Sequence, residues 1–295
     1  MNSAAGGSGK AGAVAPPLAI LCGSGAFPLE VAAHAHGAGR EPFLVGVVGS
    51  SDSSIDAYPH VWVRMGEVGR LFAALKERGT GEIVFVGTMT RPEFSDLSLD
   101  WGALKRAAGL AQLFRRGDNG LLVGLAAIFE REGIRVVGAH EVAPGLLARA
   151  GPIGARAVSS NDESDIASGA RLIDALSPFD AGQAAVIAEG RVIAVEAAEG
   201  TDHMLAHLID MRRGGRIRSP AGTGVLVKAP KPNQDRRFDL PTIGPSTVQR
   251  VAEAGLAGLA VLAGGVIIAE PTRVMTLADK ANIFVAGVRD GGTAS

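Results

Sequence analysis

Leu18-Ala19-Ile20-Leu21-Cys22-Gly23-Ser24-Gly25-Ala26-Phe27-Pro28 holds the first structural unit of the chain. Its first five residues are apolar without interruption, the pattern of a short buried strand rather than one with a solvated face. Small residues then break the run. Pro28 suits the first turn of a helix, where its missing N–H costs nothing. The unit is strand, tight glycine turn, helix.

The same unit recurs along the first half. Leu18–Cys22, Phe43–Val48, Val61–Val63, Ile83–Val86 and Ile134–Val137 read as strands. Helical patterns fall between them at Pro28–Gly37, Gly66–Arg78, Trp101–Phe114 and Asp118–Glu132. Such alternation predicts a parallel sheet covered by helices. After about residue 145 the texture changes, and Gly145 to Gly154 reads as a linker. A helix at Asp162–Leu176 follows, then a hairpin of Ala184–Ala188 and Arg191–Ala197 about the turn Glu189-Gly190. Further strands are expected at Val225–Ala229, Val266–Ala269 and Ile283–Val288. The expected division is a disordered Ala/Gly/Ser leader at 1–16, a parallel-sheet domain at 17–147 and a mixed α/β domain at 148–290.

Composition narrows the function classes. At 295 residues the chain suits two packed domains, and 47% apolar against 20% charged residues is globular. Basic and acidic side chains number 29 and 30, a balance that gives no electrostatic footprint for duplex nucleic acid and leaves only local basic clusters. Cys22 is the single cysteine, so no internal disulfide forms and a reducing, cytoplasmic setting is expected. Lys10 and the apolar run to Cys22 mimic a signal peptide, but Pro16-Pro17 break the run and Leu21 is too large for a lipoprotein cleavage site. The uncharged stretch between Glu253 and Glu270 is interrupted by glycines. It also falls short of the roughly 20 residues of a spanning helix.

The loop Gly23, Ser24, Gly25 can present backbone N–H groups to a phosphate, or it can be a tight turn with no ligand. As a dinucleotide fingerprint it is poor, because Pro28 stands where a third glycine belongs and no clear ribose-binding acid follows. Arg91, just past a strand, is a candidate phosphate ligand, and Asp118 is a natural helix N-cap that could also serve a site. Thr201 or Asp202 would cap the helix that follows the hairpin, whose N-terminus is another phosphate seat. Lys105, Arg106, Arg115 and Arg116 flank an amphipathic helix, and Arg212, Arg213, Arg216 and Arg218 read as a basic loop. Both are either solvated faces or seats for anionic head groups. His140-Glu141 lacks the spacing that puts two metal ligands on one helix face, and reads as structural at the domain junction.

The densest chemistry lies in Lys228-Ala229-Pro230-Lys231-Pro232-Asn233-Gln234-Asp235-Arg236-Arg237-Phe238-Asp239-Leu240-Pro241-Thr242-Ile243-Gly244. Prolines stiffen this path and lower the entropy cost of holding polar groups. Splitting a phosphoanhydride needs cations on the phosphate oxygens and a carboxylate to hold a metal or orient water. Lys228, Lys231 and Arg237 can supply the first, and Asp239 or Asp235 the second.

Lys228…Lys231-Pro232…Gln234…Arg237…Asp239-Leu240-Pro241-Thr242-Ile243-Gly244 closely resembles the LpxI family of UDP-2,3-diacylglucosamine pyrophosphatases. So do Asp180…Gly182-Gln183, Val195-Glu196…Glu199-Gly200-Thr201-Asp202, Gly138-Ala139-His140-Glu141 and Arg91-Pro92. The resemblance runs from about Leu18 to Val288. It implies a Rossmann-like N-terminal domain joined to an α/β C-terminal domain, a homodimer, and a cytoplasmic enzyme peripheral on the inner membrane. The implied reaction in lipid A synthesis converts the lipid-linked UDP-sugar to UMP and 2,3-diacylglucosamine 1-phosphate with Mg²⁺ or another divalent cation. Asp239 is the implied essential carboxylate, as metal ligand or as the group that orients water. Lys228 and Lys231 join it as catalytic candidates. The substrate-binding candidates are Gly23, Ser24, Gly25, Arg91, Asp118, Gln183, Gly200, Thr201, Gln234, Arg237 and Thr242. The competing reading is a nucleotide-sugar or phospholipid head-group binder without chemistry. A nicotinamide-dependent dehydrogenase would rest on Gly23-Ser24-Gly25 alone.

Overall fold

The structure, a computed structural model, describes residues 16–87, 118–179, 181–231, 234–238 and 240–289. The leader up to residue 15, Arg91, the basic helix at Trp101–Phe114 with Lys105, Arg106, Arg115 and Arg116, and Asp180, Pro232, Asn233 and Asp239 lie outside the described residues, and Asp118 is described by its backbone alone.

Among the described residues, β1 (Leu18–Cys22), β2 (Pro42–Val47), β3 (His60–Val63), β4 (Glu82–Val86) and β5 (Arg135–Val137) form a wholly parallel sheet. Its order is β3-β2-β1-β4-β5. The strands of its centre are buried along their whole length, as their unbroken apolar runs require. Helices α1 (Phe27–Gly37), α2 (Val68–Glu77), α3 (Asp118–Arg131) and the short α4 (Ala139–Val142) connect or follow these strands. The chain works outward from β1 to β3, then returns to β4. The direction therefore reverses between β1 and β4, the place where open parallel sheets bind ligands. Glu82, 6% exposed at the start of β4, pairs with Arg135 and with Arg40 at 2.6 Å. Burial alone would raise its carboxyl, but the two guanidiniums outweigh burial and hold it below the usual range.

The second sheet has the order β6-β13-β11-β9-β7-β8. Its strands are β6 (Gly151–Pro152), β7 (Ala184–Ala188), β8 (Arg191–Val195), β9 (Val225–Lys228), β11 (Gly258–Leu262) and β13 (Phe284–Val288). Its centre β9-β11-β13 is parallel and its flanks are antiparallel, so the expected mixed α/β class holds. A separate parallel pair joins β10 (Thr242–Ile243) to β12 (Ile267–Ile268). Alternate residues face two cores. Val225 and Val227 pack with Ile166 and Ile173 of α5 (Ser160–Leu176). Leu226 and Leu259 pack under α6 (Gly200–Arg213), α7 (Pro245–Glu253) and α8 (Pro271–Ala281). At the β7–β8 turn, Glu189 and Gly190 both adopt positive φ, and the Asp165 carboxylate accepts both of their N–H groups.

Several expectations are corrected. Gly145 to Gly154 is not a free linker: Gly151-Pro152 pairs with Gly287-Ala286 of β13, and Ala148 bonds to Val266 and Gly264. β11 was hidden in the uncharged, glycine-spaced stretch, because a strand buried on both faces shows no alternation. Gly258 is needed there, since a Cβ would run into the carbonyl of Phe284. Neither Thr201 nor Asp202 is an N-cap, because α6 begins at Gly200 (φ +79°) with Glu199 at the cap. Arg212 and Arg213 form the last turn of α6, and only Arg216 and Arg218 lie in the loop beyond. No helix among the described residues is long and apolar enough to cross a membrane.

Candidate functional site

The two sheets meet across a cleft of about 650 Å³. One wall is the β1–α1 turn, Ser24 to Phe27, with Phe85, Val86 and Gly87 at the end of β4. This is the switch point of the first sheet. The turn is tight because Gly23 N–H donates to Val86 O at 2.7 Å, and a Cβ on Gly87 would lie 2.8 Å from Ser24 O. Cys22 sits beneath it, and burial pushes its thiol up to about 12, so it offers no nucleophile.

The opposite wall comes from the second half. Glu199 to Asp202 open α6, Gly244 to Thr247 open α7, and Ala269 and Glu270 open α8. Together with α1, four helices among the described residues turn their N-termini on the cleft. Each brings the positive end of its helix dipole, about half a charge, although α1, α7 and α8 carry a proline in the first turn and the Glu270 N–H is held by Glu30. Lys228 adds a full charge from the end of β9. Its Nζ donates to Thr201 Oγ1 at 2.9 Å, the Thr201 hydroxyl donates to Glu196 Oε1 at 3.0 Å, and Glu196 Oε2 accepts the N–H of Gln183 at 3.0 Å. This chain of bonds fixes the ammonium at the cleft wall. The arrangement suits a diphosphate.

Arg237 also lines the cleft, yet its charge is largely committed. It meets Asp235 at 2.8 Å and Glu130 of α3 at 3.0 Å, tying the two halves together. Its hydrogen bonds hold the Asp235 carboxyl below the usual range. Asp235 is therefore spent on Arg237. Arg236 donates to Gly264 O. His140 is half-buried against this loop, and burial, with the Arg236 charge, holds its imidazole below the ordinary value. Glu141 accepts the Gly138 N–H at 2.8 Å, a cap for α4.

Ser24, Gly25, Gly200, Thr201, Lys228, Arg237 and Thr242 thus share one cleft. Gly23, Gln183, Lys231 and Gln234 are not on its wall. Gln234 Oε1 accepts the Lys231 N–H at 3.1 Å, and Gln234 N–H donates to Lys231 O at 3.2 Å, so this pair closes its own turn. Phe238 and Leu240, which flank Asp239 in the chain, both line the cleft.

Two functional positions escaped the sequence reading. Glu270 lines the cleft at φ +50°, a left-handed conformation that glutamate rarely adopts, and its N–H donates to both oxygens of Glu30 at 2.9 and 3.0 Å. Pro271, directly after it, starts α8 and was the available signal. The other is Asp52, whose Oδ2 accepts the Gly25 N–H at 2.7 Å. An acid does therefore reach the glycine loop, from a spacing no fingerprint describes. Among the described residues no three or more His, Cys, Asp or Glu side chains come together as a metal site. The described walls alone do not make a magnesium cage.

Residues 17–146 match the LpxI N-terminal domain and residues 149–286 the LpxI C-terminal domain. The chain is 40% identical over 271 residues to the UDP-2,3-diacylglucosamine pyrophosphatase LpxI of Caulobacter vibrioides, covering 92% of this chain and 97% of that protein. Both halves match in order, and the two matched ranges together contain the cleft walls from Ser24 to Glu270. The chain belongs to the LpxI family.

Proposed function

We propose that this chain hydrolyses the pyrophosphate bond of UDP-2,3-diacylglucosamine, releasing UMP and 2,3-diacylglucosamine 1-phosphate for lipid A synthesis. One observation carries the reading: Lys228 and four helix N-termini converge on one cleft, in a chain 40% identical to a relative named for this activity. Water adds to one phosphorus, the bridging P–O bond breaks, and charge builds on the departing phosphate. Lys228, fixed through Thr201, and the N–H groups of α6 and α7 stand ready to stabilise that charge without reorganising. Asp239 holds a divalent cation or orients the water. A cation such as Mg²⁺, when bound, would polarise the phosphate oxygens.

The setting follows from the substrate. Its acyl chains lie in a membrane and its nucleotide in water, so a cytoplasmic homodimer would act peripherally at the inner face of the inner membrane. Exposed Arg213, Arg216 and Arg218 are available to anionic head groups there.

Purified Asp239→Asn and Asp239→Ala proteins are expected to lose UMP release by at least about 100-fold while keeping their circular dichroism. Near-normal turnover in both would remove Asp239 from the chemistry. Chelator is expected to abolish UMP release and added Mg²⁺ to restore it. Turnover indifferent to chelator strikes the cation from the proposal, and no UMP release under any condition favours a head-group or nucleotide-sugar binder.

A further inference from the structure

An open parallel sheet that reverses direction between two strands receives a nucleotide across that point, with phosphate over the first turn and ribose against an acid near the end of the second strand. Asp52 fills that last place by an indirect route, five residues past the end of β2. Its backbone (φ −84°, ψ 146°) stands at the N-cap of a short 3₁₀ turn, Ser53–Ala57, where an aspartate ordinarily bonds the turn's own amides. Asp52 makes no such bond. Its side chain instead crosses 27 residues of sequence to the N–H of Gly25, which lines the cleft.

The loop that carries Asp52 is pinned to the same strand. Ser51 Oγ donates to Cys22 O at 2.5 Å and accepts the Val47 N–H at 2.7 Å. Gly25 takes Oδ2, and Oδ1 accepts no hydrogen bond among the described residues. The residue is exposed. A carboxylate preset on the N–H of a cleft-wall glycine repels phosphate but accepts hydroxyls. Lys228, Arg236 and Arg237 lie on the opposite wall, among Glu196, Glu199, Asp202 and Glu270, and these cations are the groups there that a phosphate can meet.

We infer that Asp52 is a nucleoside-binding residue whose Oδ1 accepts the ribose 2′-hydroxyl of the UDP half of the substrate, an assignment that rests on the pyrophosphatase reading above. The substrate then lies with its ribose beside Asp52, at the outer edge of the β1–α1 turn, and its diphosphate runs from that turn across the cleft toward Lys228. Uridine compounds are preferred over their 2′-deoxy forms for this reason.

Calorimetry on the full chain, with UMP and 2′-deoxy-UMP as probes, tests the assignment. Wild-type protein is expected to bind UMP roughly ten- to hundredfold more tightly than 2′-deoxy-UMP. In Asp52→Ala the UMP affinity should fall to that of the deoxy compound, whose own affinity stays nearly constant. Asp52→Asn keeps an acceptor for Gly25 N–H, so it should keep the fold while narrowing the ratio, a separation that a loop-bracing role alone would not produce. Equal binding of the two probes by wild type, or a ratio that Asp52→Ala leaves intact, overturns the assignment while UMP release from UDP-2,3-diacylglucosamine leaves the pyrophosphatase reading standing. Absence of UMP binding at millimolar concentration overturns it too, and absence of hydrolysis in the same preparation takes the pyrophosphatase reading with it.

Discussion

Thr201 stands between a cation and an anion, accepting from Lys228 and donating to Glu196 through one hydroxyl that is almost wholly buried. Valine has its shape without the hydroxyl. Thr201→Val would leave a Glu196 oxygen short of a donor and take one hydrogen bond from the Lys228 ammonium, at a cost of about 1–3 kcal/mol. UMP release is expected to fall roughly 10- to 100-fold, more in kcat than in KM, with Thr201→Ser close to wild type. Wild-type turnover in Thr201→Val would show that the hydroxyl chain does not position Lys228. At this scale much was legible. Lys228 and Thr201 were picked out by residue type beside a strand end and a helix start, and Gly200 through the family resemblance. Asp52 was not, because what brings it to Gly25 is the folding of a loop over β1, and no periodicity encodes that contact.

Elements were legible where their periods are strong. β1, β7 and the turn at Glu189-Gly190 fall where pattern and turn chemistry put them. β11 did not show because Gly258 there serves close packing rather than a turn, and β6 did not because it is two residues long and seats against Gly287 of β13. Gly287 makes the point: a Cβ on it would run into the carbonyl of Arg149, so the 149–152 segment can lie on β13 only against a bare backbone. Gly287→Ala should push that segment off the sheet edge and cost about 1–3 kcal/mol. Chemical denaturation should show the loss, and hydrogen exchange should place it at Ile153 and Gly154, whose N–H groups both bond to Val285. Unchanged stability would mean that the close approach of Gly287 to Arg149 contributes nothing to holding the segment on the sheet.

The whole molecule depends on ties that cross the cleft. Arg237 reaches Glu130, and Glu30 of α1 holds the N–H of Glu270. Burial pushes the Glu30 carboxyl above its ordinary value, and the Glu270 N–H pulls back without cancelling it. A raised value means that the folded protein binds this proton more tightly than the unfolded chain does. The stability it contributes is complete below the unfolded value of 4.5 and is lost as pH rises through the folded value. Glu30→Gln keeps an acceptor and removes the buried charge. Its melting temperature should exceed wild type by about a degree or two at pH 7.5, with the gap closing as pH falls toward 4.5. A gap that is constant with pH would place the effect elsewhere.

By itself the sequence determined the alternation that makes a parallel first half, the hairpin of the second, the stiff charged segment from Lys228 to Gly244, and through that segment the LpxI family. These are local matters: apolar period, turn residues and motif spacing act within a few residues of one another. Packing in three dimensions was needed to bring four helix N-termini to one cleft, to commit Asp235 to Arg237 and to set Asp52 on Gly25. Those facts depend on which way each element faces after the sheets have twisted and packed. Burial energy across the whole core settles that orientation, and the same residue types would serve a different geometry equally well.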